Sequence, residues 1–202
     1  RDLNDGQYEA LRRYFNDEVY PVLTPMADDS SRPFPFIANN SLNIAVRLHL
    51  PTSTEAKYAI IRIPQLFKRL IRVVNEPNTF VLIEDIIKEF IPLLFAGYRL
   101  DETRTFRVIR DMDLDVAERD TSDLLLAVQE QLKEREHGSV VRLEIEKQTS
   151  SALARRLITN LKVSSQAIYY INGPIDLTFL KKLGREVNGH ADLRFTPFTP
   201  YQ

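Results

Sequence analysis

The chain contains no cysteine. Disulfides, thiolate metal sites and cysteine nucleophiles are excluded together. It has no apolar run near the roughly 20 residues that a membrane-spanning helix needs, and its first residues lack the apolar core of a signal peptide. Neither charge is in clear excess: 27 lysines and arginines stand against 28 aspartates and glutamates, a formal net charge of −1. That balance gives no general attraction to nucleic acid or another polyanion, so contact with one must come from a local cluster.

Catalytic signatures are missing as well. There is no G-x-S-x-G and no H-E-x-x-H. His49, His137 and His190 have no partner at ligand spacing, and none begins an H-x-K triplet. His49 falls on the polar face of a strand pattern, His137 at a helix C-terminus and His190 in an Asn-Gly-His-Ala-Asp loop. Residues 184–191 have the glycine spacing of a phosphate-binding loop, but lack its lysine and its Ser/Thr, and follow a helix instead of a strand. A capping glycine and a turn explain them better. Asp111, Asp113 and Asp115 imitate the start of a calcium loop, but Val116 stands where glycine is required and Ser122 where the closing glutamate should be. No catalytic residue and no metal ligand are assigned.

What is present is the make-up of an ordinary folded protein, 202 residues with 44% hydrophobic and 27% charged side chains. Such a length buries about 70% of its unfolded surface, enough for one good core or two small ones. The most informative stretch is 21–46. Pro21, Pro25, Pro33 and Pro35 fix φ and bar a continuous helix. Phe34 and Phe36 alternate with the last two prolines, giving a stiff extended strip with two aromatic anchors. Asn39 and Asn40 supply a turn.

Around this strip the pattern is mixed. Residues 5–20 carry an apolar stripe at Tyr8, Leu11, Phe15 and Val19, predicting a helix. Alternation predicts strands at 41–50 and 57–63, with shorter strands at 67–74 and 79–83. A helix over 84–95 ends near Gly97, a left-handed cap. A strand at 105–114 and a capped helix at 122–136 follow. Strand 140–146, helix 151–161, strand 167–171 and a helix over 174–183 begun by Pro174 complete the series. The economical architecture is α/β (α+β): a two-layer sandwich of a mixed sheet with helices mainly on one face, preceded by an N-terminal helix.

Two basic groups stand out. Lys57, Arg62, Lys68, Arg69 and Arg72 read as solvated ion pairs. Arg104, Arg107 and Arg110 form the second, with alternation placing Arg104 and Arg110 on one face and Arg107 on the other.

Four segments, in order, resemble the middle or head domain of the large bacterial polyphosphate kinases. They are VLTP with RPFPFIANNSLNIAV, FRVIRDMDLDV at 106–116, GSVVRLEIE at 138–146 and INGPIDLTFL at 171–180. The resemblance implies a helix over 1–22 continuing from a preceding N-terminal domain, and a head domain over 23–202 ending in a linker to an absent catalytic domain. It implies that the parent moves the γ-phosphate of ATP onto polyphosphate through a phosphohistidine, with Mg²⁺, and that this part supports a homodimer or higher homo-oligomer and borders the catalytic tunnel. The histidine-bearing region lies outside these residues, so the fragment itself is expected to be inactive and to hold no cofactor. ATP and polyphosphate are then met through other domains, with no nucleic acid and no transmembrane segment, in the cytoplasm or associated with a membrane as part of the parent. Arg110 and Arg107 become phosphate-facing candidates, because both lie in the family-like FRVIRD stretch, Arg110 in its Arg-Asp pair. Pro33, Phe34, Pro35 and Phe36 become interdomain anchors. The first residues, RDLND, and the last, TPYQ, suggest an excised piece. The alternative is a free-standing α/β adaptor whose sheet edge or Phe34/Phe36 strip binds a partner protein.

Overall fold

Asn4 opens the first helix by a reciprocal cap: its side chain accepts from the Gln7 amide at 2.9 Å, and the Gln7 side chain accepts from the Asn4 amide at 2.9 Å. Helix α1 runs Asp5–Tyr14, widens into a π-turn over Phe15–Val19 and tightens into a 3₁₀ turn over Tyr20–Val22. Pro21 sits in that last turn, where its missing N–H costs nothing. The chain is seen here in a computed structural model, which describes residues 3–28, 33–111, 138–187, 190–193, 195, 196, 198 and 200. The helix expected at 122–136 lies outside the described residues.

Eight strands follow: β1 (Pro25–Asp28), β2 (Leu42–His49), β3 (Lys57–Arg62), β4 (Leu70–Arg72), β5 (Phe80–Leu82), β6 (Arg99–Arg110), β7 (Val140–Glu146) and β8 (Ile168–Ile171). Helix α2 (Ile83–Leu94) follows β5, α3 (Ser151–Leu161) joins β7 to β8, and α4 (Leu180–Glu186) comes last. Six strands form one sheet in the order β1-β3-β2-β6-β7-β8, and β4 with β5 make a separate ribbon. Every pair in the large sheet is antiparallel except β7 with β8. That parallel pair needs a crossover, and α3 supplies it. The mixed α/β class expected from the sequence is the one observed.

Register decides where the cores lie. Ile44 pairs with Ile61 and Val46 with Ala59 on one face of the sheet, while Ala45 pairs with Ile60 on the other. On the first face these side chains meet Leu11, Phe15 and Val19 of the opening helix and Ile83, Ile87 and Ile91 of α2. On the second they continue through Phe106, Val108, Leu143 and Ile145 to Leu153, Leu157 and Leu161 of α3. Helices cover both faces, α1 and α2 over β2 and β3 on one and α3 over β6 and β7 on the other. The apolar runs in β2 and β3 are the physical sign of double-sided burial, which period-2 alternation alone hides. The opening helix shares its core with Ile44 and Ile87.

Other departures are local. Residues 25–28, read as part of an unpaired linker, form the edge strand β1; Pro25 is its first residue, where a strand tolerates a missing donor. Strand β6 begins six residues earlier than its apolar pattern, because Arg99 to Arg104 pair with β2 along the backbone while most of their side chains are polar. Pro174 does not start a helix: Asp176 has a positive φ of 59°, and a 3₁₀ turn over Leu177–Phe179 leads into α4 instead. Gly97 has the expected left-handed conformation, φ 87°.

Phe106 is fully buried at the centre of the second core. Phe106→Ala should cost about 3–5 kcal/mol of unfolding free energy, read from the shift of a urea melt, with the slope unchanged.

Candidate functional site

Over β6 and β7 the first face of the sheet loses its apolar cover. Alternation puts Arg107 and Thr105 of β6, and Glu144 and Glu146 of β7, on this face, opposite Phe106, Val108, Leu143 and Ile145. The register sets Arg107 directly across from Glu144. The Arg107 guanidinium donates to Glu144 Oε2 from Nε at 2.8 Å, with Nη2 at 2.7 Å. Its Nη1 reaches Asn40 Oδ1 at 3.0 Å and Asp176 Oδ1 at 3.2 Å. Arg142 Nε takes the other Glu144 oxygen at 2.8 Å and lays its guanidinium over the Tyr169 ring.

A second arginine closes this layer from the helix side. Arg69 Nη2 lies 2.6 Å from Oε1 of Glu84, a buried carboxylate in the first turn of α2. The same guanidinium donates to the carbonyls of Ile175 and Asp176 and sits over the Phe179 ring, 4.7 Å from its centroid. Lys88 pairs with Glu146 from the next turn of α2. The 172–179 segment is therefore held against the body of the protein by ions as well as by the buried Ile175 and Phe179. Beside it lies a cleft of about 370 Å³ reached by Glu84, Asp85, Thr105 and Glu146. Burial pushes the Asp85 carboxyl above its ordinary range, opposed by Lys88 and Arg69 and reinforced by Glu84 and Glu146. The Thr105 hydroxyl is buried there without a hydrogen-bond partner among the described residues.

Arg110 stands on the opposite face at the far end of β6. Its Nε donates to the Ile37 carbonyl at 2.9 Å, its Nη1 to the Gly138 carbonyl at 2.7 Å, and Asn39 Oδ1 accepts from its backbone amide at 2.9 Å. The guanidinium lies 4.8 Å from the Phe36 ring centroid. Among the described residues it makes no ion pair. Burial alone pulls its pKa below the ordinary range, with no carboxylate opposing. The guanidinium borders a cleft of about 340 Å³ walled by Phe34, Pro35, Phe36, Ser139 and Lys162.

The structure thus separates Arg107 from Arg110, as alternation required, and gives them different company. Arg107 is saturated by two carboxylates and an amide. Phe34 packs inward on the second core, Pro35 is half-buried, and Pro33 and Phe36 are exposed, Phe36 at 46%. Within the first basic group, Lys57 pairs with Glu55, Arg69 with Glu84 and Arg72 with Glu186. His49 Nδ1 lies 2.8 Å from Asp101 Oδ1, His190 is exposed, and His137 is outside the described residues. No three acidic or histidine side chains converge as metal ligands among the described residues.

Sequence reasoning missed Glu144, Asp176 and Lys162. Glu144 sits inside the apolar run LEIE and becomes a partner of Arg107 only once β6 and β7 are in register. Lys162 reaches its cleft because it caps α3 in the left-handed region at φ 54°, which no glycine or asparagine announces.

Comparison with known proteins is direct. Residues 6–183 match the family model described as the polyphosphate kinase middle domain. A polyphosphate kinase of Lactiplantibacillus plantarum is 52% identical over 201 residues, covering 99% of this chain and 28% of that protein. A polyphosphate kinase of Staphylococcus epidermidis is 41% identical over 181 residues, 89% of this chain and 24% of that protein. The crystal structure of polyphosphate kinase from Porphyromonas gingivalis superposes with a TM-score of 0.71 at 21% identity, over 100% of this chain and 28% of that one, which supports the fold. The chain spans less than a third of the length of these curated relatives.

Removing Arg69 would leave Glu84 buried and unpaired. Arg69→Ala should therefore destabilise by about 3–5 kcal/mol, whereas Arg69→Met combined with Glu84→Leu should recover most of that loss, as measured by urea denaturation.

Proposed function

Because the chain belongs to the polyphosphate kinase family, as its middle domain, we propose that it is the non-catalytic head of a longer enzyme. That enzyme transfers the γ-phosphate of ATP to polyphosphate through a phosphohistidine carried elsewhere in the polypeptide. The observation that carries this reading is the match over residues 6–183 to a domain of relatives more than three times as long.

In the parent, ATP and Mg²⁺ are handled by the other domains. The head supports dimerisation and borders the tunnel through which the polyphosphate chain passes. The opening helix continues from a preceding domain, and the Pro33–Phe34–Pro35–Phe36 strip forms the joint to a neighbour, with Phe36 left partly uncovered for it. Of the two arginines in the family-like stretch, Arg110 is the one proposed to face phosphate, since the carboxylates around Arg107 already balance its charge. No described helix is long and apolar enough to cross a membrane.

Incubation of the 202-residue chain with labelled ATP, Mg²⁺ and polyphosphate should leave it unlabelled, while the full-length polypeptide becomes labelled and extends the polymer. Label on His49, His137 or His190 would overturn the assignment. Light scattering should find the full-length protein dimeric or larger; a strict monomer at high concentration would remove the dimer role.

A further inference from the structure

The cleft beside Arg110 combines three features that ordinary surface ion pairs lack. Its arginine is half-buried and has no counter-charge among the described residues. A desolvated cation without a partner is costly, and an anionic ligand is the usual remedy. Two of its nitrogens are fixed by the Ile37 and Gly138 carbonyls and its plane lies over Phe36, so the guanidinium is held in one orientation. Nη2 makes no hydrogen bond to a described residue, which leaves its donors for a ligand.

A second cation reaches the same cleft from a different element. Lys162 ends α3 with its backbone amide satisfied by the Ile158 and Thr159 carbonyls, and its side chain pairs with no described carboxylate. The partial negative charge of that helix end favours a lysine there, yet leaves the ammonium with no full counter-charge. Asn160, whose Nδ2 donates to the Arg156 carbonyl, and Ser139 add neutral polar groups to the wall.

We propose that this cleft binds a stretch of condensed phosphate, with Arg110 holding one phosphate through Nη2 and Lys162 a neighbouring one. Two cations from separate elements bordering one cleft suit a ligand that repeats its charge along a chain better than they suit a single small anion. The choice of condensed phosphate rests on the family reading; the existence of an anion site rests on the cleft. Phe36 and Pro35 form the apolar wall, so a neighbouring domain seated on the proline strip would shelter the site from solvent and strengthen it.

The test uses the 202-residue chain and the full-length polypeptide, each as wild type, Arg110→Gln and Lys162→Asn. Asparagine tolerates the left-handed backbone at 162, and thermal melts verify that each variant folds. Binding of long-chain polyphosphate to the 202-residue chain should weaken about ten- to a hundred-fold in each variant and fall with added salt, while Arg72→Gln, at a cation paired with Glu186 and outside the cleft, leaves it unchanged. Pyrophosphate should bind less tightly than the polymer. Equal affinity of wild type, R110Q and K162N for polyphosphate would overturn the proposal, as would preference for a poly-glutamate peptide or single-stranded DNA of matched charge. In the full-length enzyme the KM for polyphosphate should rise in both variants with little change in the KM for ATP. Full-length polypeptide without phosphotransfer would remove the family reading, whereas phosphotransfer with an unchanged polyphosphate KM in both variants would remove the cleft alone.

Discussion

Strand β2 is buried on both of its faces, and the arrangement of the described chain follows from that constraint. Ile44 and Val46 need apolar cover on one side, while Ala45 and the adjoining Ile60 and Phe106 need it on the other. No single helical layer can satisfy both. The opening helix and α2 answer the first demand and α3 the second. Because each fully buried Ile, Leu or Phe contributes about 1.5–3 kcal/mol by leaving water, the two small cores share the stability between them. The strip between the first helix and β2 has to cross from one side to the other. It does so through β1 and then the prolines, with Phe34 turned into the second core.

The sheet outgrows its helices on the α2 face. Over β6 and β7 the cover is a layer of charged side chains, Arg107, Glu144, Glu146 and Arg142 from the strands and Arg69, Glu84 and Lys88 from beyond them. Such a layer is less a source of stability than a source of position, since it accepts only one pairing pattern. A guanidinium bound by a carboxylate on both sides cannot also serve an external anion. That separates Arg107, whose charge is balanced internally, from Arg110, which meets no carboxylate among the described residues.

Periodicity was enough to show the opening helix, α2, α3 and most strands, because amphipathic stripes such as Leu11, Phe15 and Val19 record burial directly. It could not show which faces were covered, since Ala45 between Ile44 and Val46 looks the same whether one side or two are buried. Nor could it show β1, whose Pro25 argues locally against a strand and is tolerated only because the strand is an edge. The charged layer was hidden for a different reason. Glu144 and Arg107 are 37 residues apart and become partners through register, a property of the sheet and not of either segment. The family-like motifs pointed to Arg110, but its lack of a counter-charge and its proximity to Lys162 are properties of three-dimensional packing.

Arg69 has a consequence for motion. With Arg107 on Asp176 and the burial of Ile175 and Phe179, it fastens residues 175–179 to the body of the protein, whereas Leu177 and Leu180 are open to solvent. Amide protons from 172 to 186 therefore belong to a unit that can detach while the central strands stay paired, exchanging with solvent at lower free energy than those of β2. Among the described residues this end hangs on three guanidiniums, those of Arg69, Arg107 and Arg72, and not on strand pairing.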